Sequence, residues 1–142
     1  MPARRNVPEA LARRVRSLLK GTFGLARLRP GQQAVIDRVL TAQNTLAIMP
    51  TGAGKSLCYQ LPALLLAGRT VVVSPLIALM KDQVESLRET GVAAVQLNSA
   101  VDSDEERAAL DAARDGSARI VMVTPERLAG QEFIELLGDH PT

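Results

Sequence analysis

The sequence predicts an α/β fold: a parallel sheet in three layers, with helices on both faces. Three observations carry this. Four short apolar runs recur along the chain, at Thr45–Met49 (TLAIM), Thr70–Ser74 (TVVVS), Val92–Leu97 (VAAVQL) and Arg119–Val123 (RIVMV). Stretches of helical period separate them, the alternation that builds βαβ units. The runs are continuously apolar, as strands covered on both faces are. About four strands are therefore expected, joined by right-handed crossovers. Ligand sites are expected at the strands' carboxyl ends.

The elements follow in order. A first helix runs from Pro8, tolerated in a first turn, to Gly21. Leu11, Val15, Leu18 and Leu19 give it one apolar stripe. Pro30 and Gly31 lead into a second helix that buries Val35, Ile36, Val39 and Leu40. A third starts near Gly54, after the first apolar run. Leu76–Thr90 is helical, with Leu76, Met80, Val84 and Leu87 on one face and Gly91 as its stop. Ser103 and Glu106 form a capping box that opens a helix to about Asp115. A last helix covers Gln131–Leu137.

Composition excludes several classes. Aromatic residues are 2% of the 142, so the core is aliphatic. The single cysteine, Cys58, excludes an internal disulfide and a multi-cysteine zinc site within this chain. It reads as a buried small hydrophobe. The longest nearly apolar run, Leu61–Ala67, contains Pro62 and is too short to span a bilayer. No apolar stretch follows the early arginines, so no secretory leader or membrane partner is read, and a cytoplasmic location is the expectation. Charge is uneven. Residues 1–30 hold eight basic residues and one acid, net +7, and the remainder nets −5. Such an arm suits an anionic partner, although an arginine-rich solvated helix face reads the same way. Lys81 and Glu85 read as a solvated i,i+4 pair, and His140 has no assigned role.

The sharpest feature is Met49–Ser56 (MPTGAGKS), between an apolar run and a helix. Glycines at 52 and 54 let the backbone bend until several N–H groups face one anion. A helix N-terminus adds unpaired N–H groups and positive dipole. Lys55 brings a full charge to outer phosphates, and the Ser56 hydroxyl suits an accompanying Mg²⁺. Thr51, Gly52, Ala53, Gly54, Lys55 and Ser56 are thus the candidate phosphate-binding residues, with Ser56 the candidate metal ligand. The general G-x-x-x-x-G-K-[ST] pattern fails at Met49, which stands where its first glycine belongs. A glycine turn with no ligand is the alternative.

Four stretches together resemble one family. Phe23–Gln32 reads FGLARLRPGQ, Met49–Tyr59 reads MPTGAGKSLCY, Val71–Val84 reads VVVSPLIALMKDQV, and Thr124–Leu128 reads TPERL. In order and rough spacing they are similar to the first motifs of RecQ-type DNA helicases of superfamily 2. In that superfamily a glycine at position 49 is not required. The resemblance implies an incomplete three-layer sheet of the RecA-like P-loop NTPase type. Residues 1–30 would be a basic helix and adenine-motif loop, and 31–142 part of the first motor domain. It implies ATP and Mg²⁺ as ligands and single-stranded or forked DNA as partner. Gln32 would hydrogen-bond the adenine edge, because an amide both donates and accepts, and Arg29 would lie against the ring. Ser74, Pro75, Asn98, Ser99, Thr124 and Glu126 would contact the sugar–phosphate backbone. Without the family, Ser74–Pro75 reads as a strand stop and Thr124–Pro125 as a helix cap with a first-turn proline.

The resemblance also implies what to look for and not find. The family's motor carries an Asp-Glu pair at the end of a further strand, followed by Ala/Cys-His, and needs a second motor domain. Neither occurs in these 142 residues. Asp104-Glu105-Glu106 sits instead at a helix start. The chain is therefore expected to be an N-terminal part of a helicase that neither hydrolyses ATP nor unwinds DNA alone, with no complete catalytic set and an uncovered apolar sheet edge. Two rivals remain open. A small phosphate-loop kinase would reveal itself in a phosphotransfer assay. A non-enzymatic remnant would bind DNA regardless of ATP and of Lys55.

The family usually has an aromatic residue directly after Phe-Gly, where this chain has Leu25. Leu25→Tyr is expected to tighten ATP binding by restoring a stacking surface. Titration of a fluorescent ATP analogue checks this, and an unchanged Kd rejects it.

Overall fold

A computed structural model describes residues 6–138 and 142. Arg4, Arg5 and His140 fall outside the described residues. The chain divides into two compact units, residues 1–66 and 67–142.

The first unit is helical: α1 (Glu9–Gly21), α2 (Gln32–Leu40) and α3 (Leu57–Ala63). Val15 and Leu19 of α1, Ile36 of α2, and Leu57 and Leu61 of α3 form its core, with Leu18, Phe23, Leu28, Leu40 and Leu65 packed around them. Of the apolar stripes read from the sequence, Val15, Leu18, Leu19, Ile36 and Leu40 reach this core, while Leu11, Val35 and Val39 are only partly buried and lie outside it. α3 starts at Leu57 rather than near Gly54, because Gly54 holds φ +79°, outside the helical region.

Thr45–Met49 is not a strand. A strand exists only through the ladder bonds of a neighbour, and among the described residues this run has none. Leu46 and Ile48 are 88% and 89% exposed. The sheet therefore has three strands rather than about four.

The second unit holds that sheet: β1 (Thr70–Val73), β2 (Ala94–Leu97) and β3 (Ile120–Val123), parallel, in the order β1-β3-β2. Helices α4 (Ile77–Glu89), α5 (Ser103–Arg114), α6 (Pro125–Leu128) and α7 (Gln131–Gly138) complete it. Every residue of the central β3 is buried. Val121 and Val123 pack with Leu97, Ala109, Ala113, Phe133 and Leu136, the face covered by α5 and α7. By alternation Ile120 and Met122 face the other side, where Met80 of α4 meets Asn98. The layers follow from strand order. The crossover β1-α4-β2 runs one way along the sheet and β2-α5-β3 runs back, so one hand places α4 and α5 on opposite faces.

Three local expectations shift. Asp102, not Ser103, caps α5, its carboxylate accepting from the Glu105 amide at 2.8 Å. Aspartate is the stronger acceptor, and it also suits the helix dipole. Leu76 lies outside α4 and is 59% exposed, while Met80, Val84 and Leu87 are buried as read. Val73 and Leu79 are also exposed, consistent with the uncovered apolar edge.

Nothing in the local pattern around Arg69 marks its role, and it is only 3% exposed. Its guanidinium donates to Ala113 O near the end of α5, to Leu136 O in α7 at 2.8 Å, and to Thr142 Oγ1 at 3.1 Å. It satisfies helix-end carbonyls that have no intrahelical partner, with charge of the favourable sign. Arg69→Ala leaves buried carbonyls unpaired and should cost about 3 kcal/mol. Urea unfolding followed by circular dichroism measures it, and a loss under about 1 kcal/mol contradicts the role.

Candidate functional site

Two groups of candidate residues lie one on each unit. On the first unit, the loop between residue 49 and α3 bends through Gly52 (φ +80°) and Gly54 (φ +79°). Three side chains hold it. Lys55 Nζ, on an exposed residue, donates to Met49 O at 3.3 Å and closes the loop on itself. Arg29 Nη1 donates to Gly52 O. Gln32 Nε2 donates to Gly54 O at 3.0 Å and to Ala53 O at 3.5 Å, while its Oε1 accepts from the Arg29 amide at 2.6 Å.

The loop's carbonyls are thereby turned toward Arg29 and Gln32, and its amides are left over. Among the described residues the N–H groups of Gly52, Gly54 and Lys55 have no acceptor. A cluster of free N–H groups beside a lysine is the chemistry of an anion nest. Pro50 O accepts from Ala53 N at 3.2 Å, which turns the Thr51–Gly52 corner. Ser56 stands at the first turn before α3. Among the described residues no three of His, Cys, Asp and Glu gather as a metal-binding group. Beside the loop, Arg27, Leu28, Arg29, Pro30, Gly31 and Gln33 line an open cleft of about 820 Å³.

Gln32 itself is buried at 3% exposure, its amide occupied by backbone on both sides. To reach an adenine edge it must exchange those partners. Arg29 and Leu25 are exposed. Cys58 is buried as read, its Sγ 4.0 Å from Gly54 O, and burial raises its thiol pKa.

On the second unit, parallel register brings the strand ends level, with both Val73 and Leu97 beside Val123. The residues that follow therefore emerge together. Pro75, Asn98, Ser99, Thr124 and Glu126, with Glu106 and Arg127, line one cavity of about 570 Å³. Ser74 is at the same edge, its Oγ accepting from the Leu76 amide at 3.2 Å. Asn98 is 2% exposed and holds its own loop: Oδ1 accepts from Ala100 N at 2.9 Å and Nδ2 donates to Gln96 Oε1 at 3.1 Å. Thr124 is buried at the N-cap of α6, with Pro125 in the first turn. Ser99, Pro75 and Glu126 are exposed. The sequence did not show that Arg127 pairs with Glu106 of α5, because the partners are 21 residues apart. Lys81 and Glu85 form the solvated pair that was read, at 3.9 Å.

The fold is an incomplete RecA-like α/β fold. Residues 29–136 match the family described as DEAD/DEAH box helicase. The chain belongs to this family, in its RecQ branch. It is 48% identical over 125 residues to the ATP-dependent DNA helicase RecQ of Bacillus subtilis, covering 87% of this chain and 21% of that protein. It is 42% identical over 122 residues to that of Haemophilus influenzae, covering 86% and 20%. The chain thus spans about a fifth of the length of these relatives. In fold it is similar to the crystal structure of the DUF1998 helicase MrfA bound to DNA, with a TM-score of 0.71 at 21% identity over 95% of this chain and 21% of that one. Membership implies nucleotide binding with a metal ion as a general family property. No helix among the described residues is long and apolar enough to cross a membrane.

Gly54 faces Gln32 so closely that a Cβ would collide with its Nε2. Gly54→Ala should destabilise the first unit by about 1–2 kcal/mol through positive φ alone, and by more through the collision. Adding Gln32→Ala should recover the collision share only. A double-mutant cycle in urea tests this, and purely additive losses rule the contact out.

Proposed function

We propose that this chain is the N-terminal part of an ATP-dependent 3′-to-5′ DNA helicase. It binds the phosphates of ATP through Thr51–Ser56 and lays single-stranded DNA along the cavity at the strand ends. Residues 1–30 supply the basic helix and the adenine-facing loop, and 31–142 the partial motor domain.

The observation that carries the reading is the set of amides at Gly52, Gly54 and Lys55 without acceptors, beside an exposed ammonium group. An anion there replaces the weak Lys55–Met49 O contact with charge-assisted bonds. Bound Mg²⁺ supplies further positive charge, and Ser56 is the residue placed to hold it. Arg29, exposed at the mouth of the open cleft, stacks on the base. On the second unit, Ser99 and the exposed backbone around Pro75 and Glu126 meet the DNA strand directly. Buried Asn98 and Thr124 shape the loops that present them. Such contacts position a strand without reading its sequence.

The chain has the cradle but not the acidic pair of its family's hydrolytic machinery, so it binds ATP without turning it over. Lys55→Ala should weaken binding of a fluorescent ATP analogue at least about tenfold, the loss of one charge-assisted contact. Its circular dichroism spectrum should be unchanged. Equal affinity in Lys55→Ala and wild type rejects the phosphate site.

A further inference from the structure

The two units differ sharply in charge. Residues 1–66 hold ten of the seventeen basic residues and two of the fifteen acidic ones, net +8; residues 67–142 hold seven and thirteen, net −6. Much of the positive charge is concentrated on α1. Arg13, Arg16 and Lys20 recur at i, i+3 and i+7, which aligns them on one face. Val15 and Leu19, on the other side, are buried in the unit's core, so this face points to solvent, and all three residues are exposed. Arg14 flanks them and is exposed too.

Little neutralises this stripe. Glu9 pairs with Arg16 at 2.8 Å, and both side chains stay more than half exposed. Among the described residues Arg13, Arg14 and Lys20 have no ion pair. Cations stacked along one helix face repel each other. Fold stability does not explain their placement, because none packs in the core. From Arg13 to Lys20 the stripe is about 10 Å long, so its three cations can meet neighbouring phosphates of one nucleic-acid strand.

We propose that the exposed face of α1 is a second DNA-docking surface, gripping the phosphate backbone through Arg13, Arg16 and Lys20. Its residues are distinct from those of the nucleotide loop and of the strand-end cavity. The proposed helicase function enters only in naming DNA as the polyanion. The surface is indifferent to sequence, because it offers charge and no base-reading element. Glu9 tunes it by holding Arg16 back.

The test uses the 142-residue chain and a fluorescent 30-nucleotide single strand, with binding measured against NaCl concentration. The triple variant Arg13→Gln, Arg16→Gln, Lys20→Gln should flatten the log Kd–log salt slope by about 2, at about 0.7 per lost contact, and weaken low-salt binding at least about tenfold. Glu9→Gln should tighten binding about twofold by releasing Arg16. Affinity for the ATP analogue should not change in either variant, whereas Lys55→Ala alters that affinity and leaves the salt slope intact. A wild-type slope in the triple variant overturns the proposal, as does weaker binding in Glu9→Gln. Tighter binding of wild type to phosphatidylserine vesicles than to DNA at equal salt also overturns it, and so does no DNA binding by wild type. A null ATP result with a salt slope lost in the triple variant sinks the nucleotide reading and leaves this one standing.

Discussion

A loop with two glycines at positive φ has no preferred shape of its own, and in this protein the Gln32 side chain gives it one. Gln32 is the first residue of α2, and the core packing of Ile36 against Leu57 and Leu61 fixes α2 against α3. The amide thus links a rigid helix pair to the flexible segment between them. It draws the Ala53 and Gly54 carbonyls to itself, and Arg29 takes that of Gly52. A peptide whose carbonyl turns one way must send its N–H the other way. Holding the Ala53 and Gly54 oxygens on one side turns the free Gly54 and Lys55 amides to the opposite side, while the Ala53 amide, opposite the Gly52 oxygen, is taken by Pro50 O. The direction of these amides follows from contacts made to the back of the loop.

The second unit uses a different constraint. Parallel strands in register end at one level, so three unrelated loops begin side by side. Each is then stiffened locally. Ser74 accepts from Leu76, Asn98 accepts from Ala100, and Thr124 leads into α6 through Pro125. The buried polar residues here are scaffolding that sets the exposed ones in place. Arg69 extends the same logic to the far ends of α5 and α7, where one guanidinium serves carbonyls from both helices.

Helices α1, α2, α4, α5 and α7 and strands β1, β2 and β3 were legible to within two residues because each carries its own period and its own stops. What was not legible depends on groups distant in the chain. Thr45–Met49 has a strand's composition, yet a strand is a property of a pair, and no local pattern names the missing neighbour. Asp102 and Ser103 are both good caps, and only backbone geometry chooses between them. Arg69 looks like an ordinary loop cation between Gly68 and a run of valines. Its burial depends on carbonyls 44 and 67 residues away. The candidate site residues are legible as types in order, while their division into exposed and buried members required the fold. Gln32 shows this most clearly: its amide can donate and accept at once, and in this structure backbone groups use both halves.

The charge division gives the two proposed contacts with DNA different tasks. The strand-end cavity sets one guanidinium, Arg127, against two carboxylates, Glu106 and Glu126, and Arg127 is already paired. A phosphate there gains little from net charge and must rely on hydroxyls and backbone amides, which fix register more than they add affinity. The first unit has the opposite balance, with cations in excess and few acids to screen them. Counterion release, the main source of salt-dependent affinity, therefore has its origin on the unit that also carries the nucleotide loop. On this reading strength of DNA attachment and position of the DNA strand are set by different parts of the chain.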